Sequence, residues 1–324
     1  MSVRRHDLHN AKPRRARHKE RSGRTPPPDA PVLPALPSGF AAERMREVQT
    51  LLEGLKFGEN DPNARLTELQ ADDPKRRAQI LSFDALEASD PLETLGLVEE
   101  ALKLDPDCTE AQRLMVSLEP MDLDNRIRLI RETVDQAERK MGESFIQENK
   151  GCFWVTVSTQ PYMRAKRELG ELLAAAGRLA DAIAVFEQML ELNPDDNLGA
   201  RFPLLGLHLA TNQPERANNL IARFPEEERV LGSFAWARVL ERWLSGYPDD
   251  GKAETEAALE RARKVNPFAE PYISGVHPLP EESPQYYLPG EESEAQMCAL
   301  ALAVAWERNP GFREWLRDRS RSRS

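Results

Sequence analysis

From residue 40 onward, apolar residues recur at three- and four-residue intervals, the period of helices that bury one stripe. Met45, Val48, Leu51, Leu52 and Leu55 predict a short helix over 40–56, and a polar stretch broken by Asp61-Pro62 and Asp73-Pro74 follows it. A helical pair is expected over 75–104. Asp90 caps its second helix and Pro91 sits at the tolerated first position. Leu95, Val98 and Leu102 form its apolar face, and Asp105-Pro106 ends it. A further pair covers 108–118 and 122–141, the latter with Ile127, Ile130, Val134, Ala137 and Met141 on one stripe. Residues 151–158 break the pattern. They read as a packed loop in which Phe153 and Trp154 plug the space between helices, and Thr159 or Ser158 caps the next helix.

Residues 163–196 carry the strongest internal pattern. Gly170, Leu173, Gly177, Leu179, Ala182, Phe186 and Pro194 fall where a tetratricopeptide unit of about 34 residues places its small, turn-forming and bulky positions. Gly170 and Ala182 let paired helices approach, Gly177 makes the turn, Phe186 fills the space behind, and Asn193-Pro194 stops the second helix. Ala217 marks a weaker neighbouring unit. Residues 236–267 resemble a third, closing on Asn266-Pro267 with Leu259 and Ala262 behind. No such unit buries its apolar face alone, so several must stack.

The period ends at a proline-rich strap over about 270–290, with Pro271, Pro278, Pro280, Pro284 and Pro289. Tyr286 and Tyr287 are expected to pin it to the solenoid. Ser293 and Gln296 read as a capping box opening one helix over 294–308, and a segment around Trp315 and Leu316 closes the fold. The expected organisation is a basic disordered arm (1–38), a helical region with divergent repeats (39–150), tetratricopeptide-like repeats (151–267), a strap with capping helices (268–316) and a disordered tail (317–324). The fold class is therefore all-α: a tetratricopeptide-like helical-hairpin solenoid with a proline-rich strap and C-terminal capping helices.

Charge divides the chain. The whole carries −10, whereas residues 1–30 hold nine Lys/Arg against three acids, which leaves −16 on the remainder. An acidic body argues against nucleic acid as its main ligand, so nucleic acid is an alternative only through the basic arm. Cys108, Cys152 and Cys298 are too scattered for a disulfide framework or a zinc site and read as reduced thiols packed as small apolar groups, which points to the cytoplasm. No stretch reaches the roughly 18 apolar residues of a membrane span, and the polar start lacks a signal-peptide core. The five histidines show no metal-ligand spacing, and no nucleophile-elbow, Walker-type or dinucleotide-binding motif occurs. No enzyme activity and no cofactor are expected.

A family resemblance adds to this. Residues 148–154 (Glu148 to Trp154), 159–164 (Thr159 to Arg164) and 193–197 (Asn193 to Asn197) with Gly199 and Arg201, then Asn266-Pro267-Phe268, Pro271-Tyr272, Leu279-Pro280, Pro289-Gly290, Trp306, Pro310-Gly311 and Trp315-Leu316, resemble bacterial tetratricopeptide proteins related to the C-terminal half of the suppressor of tumorigenicity 7 family. The resemblance spans about 145–316 and departs from the family at Cys152 and Gln160. It implies a helical repeat fold and brings no catalytic residues. Membrane association of eukaryotic members does not transfer.

The remaining candidate chemistry is arginine. In a tetratricopeptide unit the first helix of each pair faces the groove, and with Met163 at the first place Arg164 and Arg167 fall at its second and fifth places, which point inward in that register. Arg201 starts the next such helix, and Arg238 and Arg242 lie on the one after. A guanidinium fork suits carboxylates. Pairing with the chain's own acids, Glu168 and Glu171 among them, is the competing reading. The expectation is a non-catalytic scaffold whose concave groove takes an unidentified, acidic protein or peptide at Arg164, Arg167 and Arg201.

Overall fold

The computed structural model describes residues 73–249, 251–281, 283–284 and 286–321; the arm and the 40–56 segment lie outside these. Every element within them is helical. The first pair is α1 (Pro74–Glu87) and α2 (Pro91–Leu104). Each begins with proline behind an aspartate cap: Asp73 accepts from Lys75 N–H at 3.1 Å, and Asp90 from Leu92 N–H at 3.0 Å. The second pair, α3 (Thr109–Leu118) and α4 (Leu123–Met141), uses Asp122 as the α4 cap and buries Ile127, Ile130, Val134 and Ala137. Short α5 (Glu143–Glu148) leads into an irregular loop.

That loop is packed as expected. Phe153 is fully buried against Tyr162, and the amides of Gly151 and Phe153 donate to the Leu192 carbonyl. Thr159 precedes the next helix, but its hydroxyl donates back to the carbonyls of Phe153 and Thr156 instead of capping forward.

The best-defined pair is α6 (Gln160–Ala175) with α7 (Leu179–Leu192). A Cβ added at Gly170 would lie 2.7 Å from the Phe186 ring, so glycine there is what lets the ring seat. Leu173, Ala182 and Phe186 are fully buried. Gly177 makes the turn at φ +73° in open space. Gly177→Ala should therefore cost about 1–2 kcal/mol through backbone strain alone. A denaturant titration showing no loss would contradict this.

The next pairs are α8 (Arg201–Ala210) with α9 (Pro214–Ala222), and, after short α10 (Pro225–Val230), α11 (Gly232–Gly246) with α12 (Lys252–Val265). Ala217, Leu259 and Ala262 are buried where the repeat reading put small and apolar residues. First helices of neighbouring pairs touch, α1 with α3, α3 with α6 and α8 with α11, while α6 meets the start of α8 through Arg167, which donates to the Leu198 carbonyl, and the side that these helices share is called the inner face below.

The C-terminal part is α13 (Ala269–Ser274), the strap, α14 (Glu292–Ala301), α15 (Ala303–Arg308) and α16 (Pro310–Arg321). It corrects four expectations. The helix expected over 294–308 breaks at Leu302, whose wholly buried side chain seats over Gly206 of α8. The capping box does not form, because Ser293 accepts from Leu288 N–H at 3.1 Å and Gln296 donates to the Tyr272 hydroxyl. The segment from 317 is helical through Arg321, with Arg319 paired to Glu256 and lying over Trp315. Tyr286 is 87% exposed, so it pins nothing. The strap is held instead by Asn266, which donates to the Glu291 carbonyl at 3.0 Å, and by the Tyr272 hydroxyl, which donates to Glu292 at 2.8 Å.

One large core runs from Val116 to Leu316, and a smaller, alanine-rich one joins α1, α2 and α3. His208 is buried in the larger core. Burial, with Arg216 adding to it, lowers its pKa to about 4; Glu187 lies 3.7 Å away. The unfolded chain takes up this proton more readily, so stability is complete above pH ~6.5 and falls as pH drops toward ~4, by up to about 3 kcal/mol. Urea titrations at pH 7 and pH 4.5 should show a steeper acid loss for the wild type than for His208→Gln. Parallel profiles would contradict this.

Candidate functional site

The inner face is covered at one end by the chain itself. Helix α14 packs on α8 and α11, and α15 packs on α8. The anchor is Glu294, a buried carboxylate that accepts from Gly232 N–H at 2.8 Å at the start of α11, from Gly290 N–H at 2.7 Å and from Asn266 Nδ2 at 2.9 Å. Among the described residues, no helix covers the inner face along α3, α6 and the start of α8 as α14 and α15 cover its other end.

Two cavities occupy this open part. One, of about 600 Å³, is bounded by Arg113 of α3, Arg126 of α4 and Arg164, Arg167, Glu168 and Glu171 of α6. The other, of about 520 Å³, is walled by Phe202 and Pro203 of α8, Leu231, and Met297 and Ala301 of α14, with half-exposed Tyr287 at its edge. Arg167, Glu171 and Leu198 border both. The first is charged, and the second is largely apolar and is limited by α14.

All three arginines expected from the sequence border these cavities: Arg164 the first, Arg167 both and Arg201 the second. Each is already paired. Arg164 donates through Nε to Glu110 at 2.7 Å and stacks over Phe83. Glu110 has no exposed surface and also accepts from Arg113 at 2.7 Å; Arg113 reaches Glu168 at 3.0 Å as well. Arg167 pairs with Glu171 at 2.8 Å and donates to the Leu198 carbonyl. The partner of Arg164 is thus neither nearby acid of its own helix.

Arg201 lies between Asp196 and Glu227, 2.8 Å from each, and over the rings of Phe202 and Phe224. Asp196 also accepts from the amides of Ala200 and Arg201, so a single carboxylate caps α8 and fixes the guanidinium. Burial disfavours the charge on Arg113 and on Arg201, but hydrogen bonds and proximity to their carboxylates outweigh it, and both are held above the ordinary arginine range.

Arg238 does not reach either cavity. It is buried in a network with Glu228, Glu241 and Asn218, and Arg242 also turns to Glu241. Periodicity assigned both the correct helix but missed that acids on α10 and α11 draw them away. Sequence reasoning also overlooked Arg126, because it sits on the second helix of its pair. Of the cysteines, Cys108 and Cys298 are buried as expected, whereas Cys152 is exposed on the loop. Among the described residues, no group of three or more His, Cys, Asp or Glu could hold a metal ion, and no helix is long and apolar enough to cross a membrane.

The family model described as tetratricopeptide repeat matches residues 173–242. That span runs from the end of α6 through α7, α8, α9 and α10 into α11 and includes the α8 wall of the apolar cavity. No curated protein matches the chain.

Proposed function

We propose that this chain is a non-catalytic interaction scaffold that receives a peptide or partner protein along the open inner face, across α3, α6 and the start of α8. The observation that carries this is the pair of adjoining cavities that share Arg167 and Leu198 on the stretch α14 leaves uncovered. Helical-repeat arrays present such extended faces to protein partners, and the match to the tetratricopeptide repeat supports that use here. The charged groups along the face are guanidiniums and carboxylates holding one another in place, an arrangement suited to binding. The three free cysteines fit a reducing compartment such as the cytoplasm.

The test is partner capture with the full chain as bait. Arg167→Glu and Leu198→Asp act where the two cavities meet, at side chains that are not deeply buried. Both should lose the captured partner while keeping helicity and melting temperature, and Glu260→Arg on exposed α12 should keep it. Folded Arg167→Glu and Leu198→Asp proteins that capture what the wild type captures would refute the assignment.

A further inference from the structure

The charged cavity does not balance. Its four guanidiniums, on Arg113, Arg126, Arg164 and Arg167, share its lining with two carboxylates, Glu168 and Glu171, and a third, Glu110, lies buried behind them. Glu110 serves Arg113 and Arg164, Glu168 serves Arg113, and Glu171 serves Arg167. Among the described residues Arg126 has no ion pair, and its Nε is shielded from water without an acceptor. A shielded donor lacking an acceptor is an unfavourable state that a ligand can relieve. The surplus positive charge of the cavity therefore sits on Arg126, on a body that is otherwise strongly acidic.

We propose that Arg126 is the residue that reads charge on this face, and that the occupant of the cavity is a peptide segment carrying an Asp or Glu carboxylate which closes on its guanidinium. This rests on the inner face being the partner site, and it assigns the roles within it. Arg164 and Arg201 are positioning residues, tied by their own carboxylates to the frame. Arg167 shapes the junction between the two cavities. Arg126 comes from α4, so the charge-reading group belongs to the second helix of one pair and reaches the face lined by the first helix of the next. Complementarity of charge selects the occupant: a carboxylate completes the count, a neutral segment leaves Arg126 unpaired, and a basic one is repelled.

The experiment uses the full chain and an array of fluorescein-labelled, unstructured peptides. Each acidic peptide is matched to a version with Asp and Glu changed to Asn and Gln and to a version with phosphoserine in their place. Binding is read by polarisation at two salt concentrations. Acidic peptides should bind at least ~10-fold more tightly than their amide versions, and high salt should narrow that gap. Arg126→Gln should bind acidic and amide peptides alike, at the wild type's affinity for the amide set. Arg126→Lys should recover part of the preference. Arg167→Gln should weaken both sets together.

A folded Arg126→Gln protein that still prefers the acidic peptides would overturn the role of Arg126 while leaving the inner face as the site. Preference for phosphoserine peptides over acidic ones would overturn the carboxylate assignment. Peptides that bind Arg167→Gln, Leu198→Asp and wild type equally would place binding elsewhere, and binding of none would remove the peptide site; either result refutes the proposal together with the reading beneath it.

Discussion

Phe186→Ala will lower stability by about 3–5 kcal/mol, the cost of emptying a fully buried aromatic site at a helix-pair interface. The ring lies against the backbone of Gly170, where a single added methyl would come within 2.7 Å of it. Gly170→Ala alone should cost about 1–3 kcal/mol by overpacking. Combining it with Phe186→Leu, which shortens the facing side chain, should cost less than the two single losses added together. Urea unfolding of the four proteins measures this directly. Additive losses would mean that the two positions do not meet, and the α6–α7 register would be wrong.

Glu110→Gln is the second large effect, at about 3–5 kcal/mol. Its carboxylate has no exposed surface and lies between the guanidiniums of Arg113 and Arg164, whose side chains are themselves mostly covered. Neutralising it leaves two clustered cations with only Glu168 between them. The loss should appear as a lower urea midpoint with an unchanged slope. A loss below ~1 kcal/mol would mean that water reaches this site and that Arg164 is free to engage a partner itself.

The helix pairs were legible because their signals are local. Asp90 and Pro91 at a helix start, Gly177 at a turn, and the spacing of Gly170, Ala182 and Phe186 each act within a few residues or one hairpin. The C-terminal part was harder because its determinants are distant in sequence. Ser293 and Gln296 have the spacing of a capping box, yet Leu288 and Tyr272 claim them. Leu302 breaks its helix to reach Gly206, almost a hundred residues upstream. The site shows the same division. The repeat register points Arg164 and Arg167 inward and puts Arg201 at the start of the next first helix, and all three border the cavities. It did not reveal which were spent on Glu110, Glu171, Asp196 and Glu227, nor that Arg126 would be left over, since pairing depends on contacts between helices.

The most direct test of the account is amide hydrogen exchange on the full chain, alone and with its captured partner bound. Binding on the open inner face predicts slower exchange in α3, α6 and residues 196–203, with α7, α9 and α12 unchanged. Slowing confined to α7, α9 and α12, with α3, α6 and residues 196–203 exchanging as in the free chain, would contradict it.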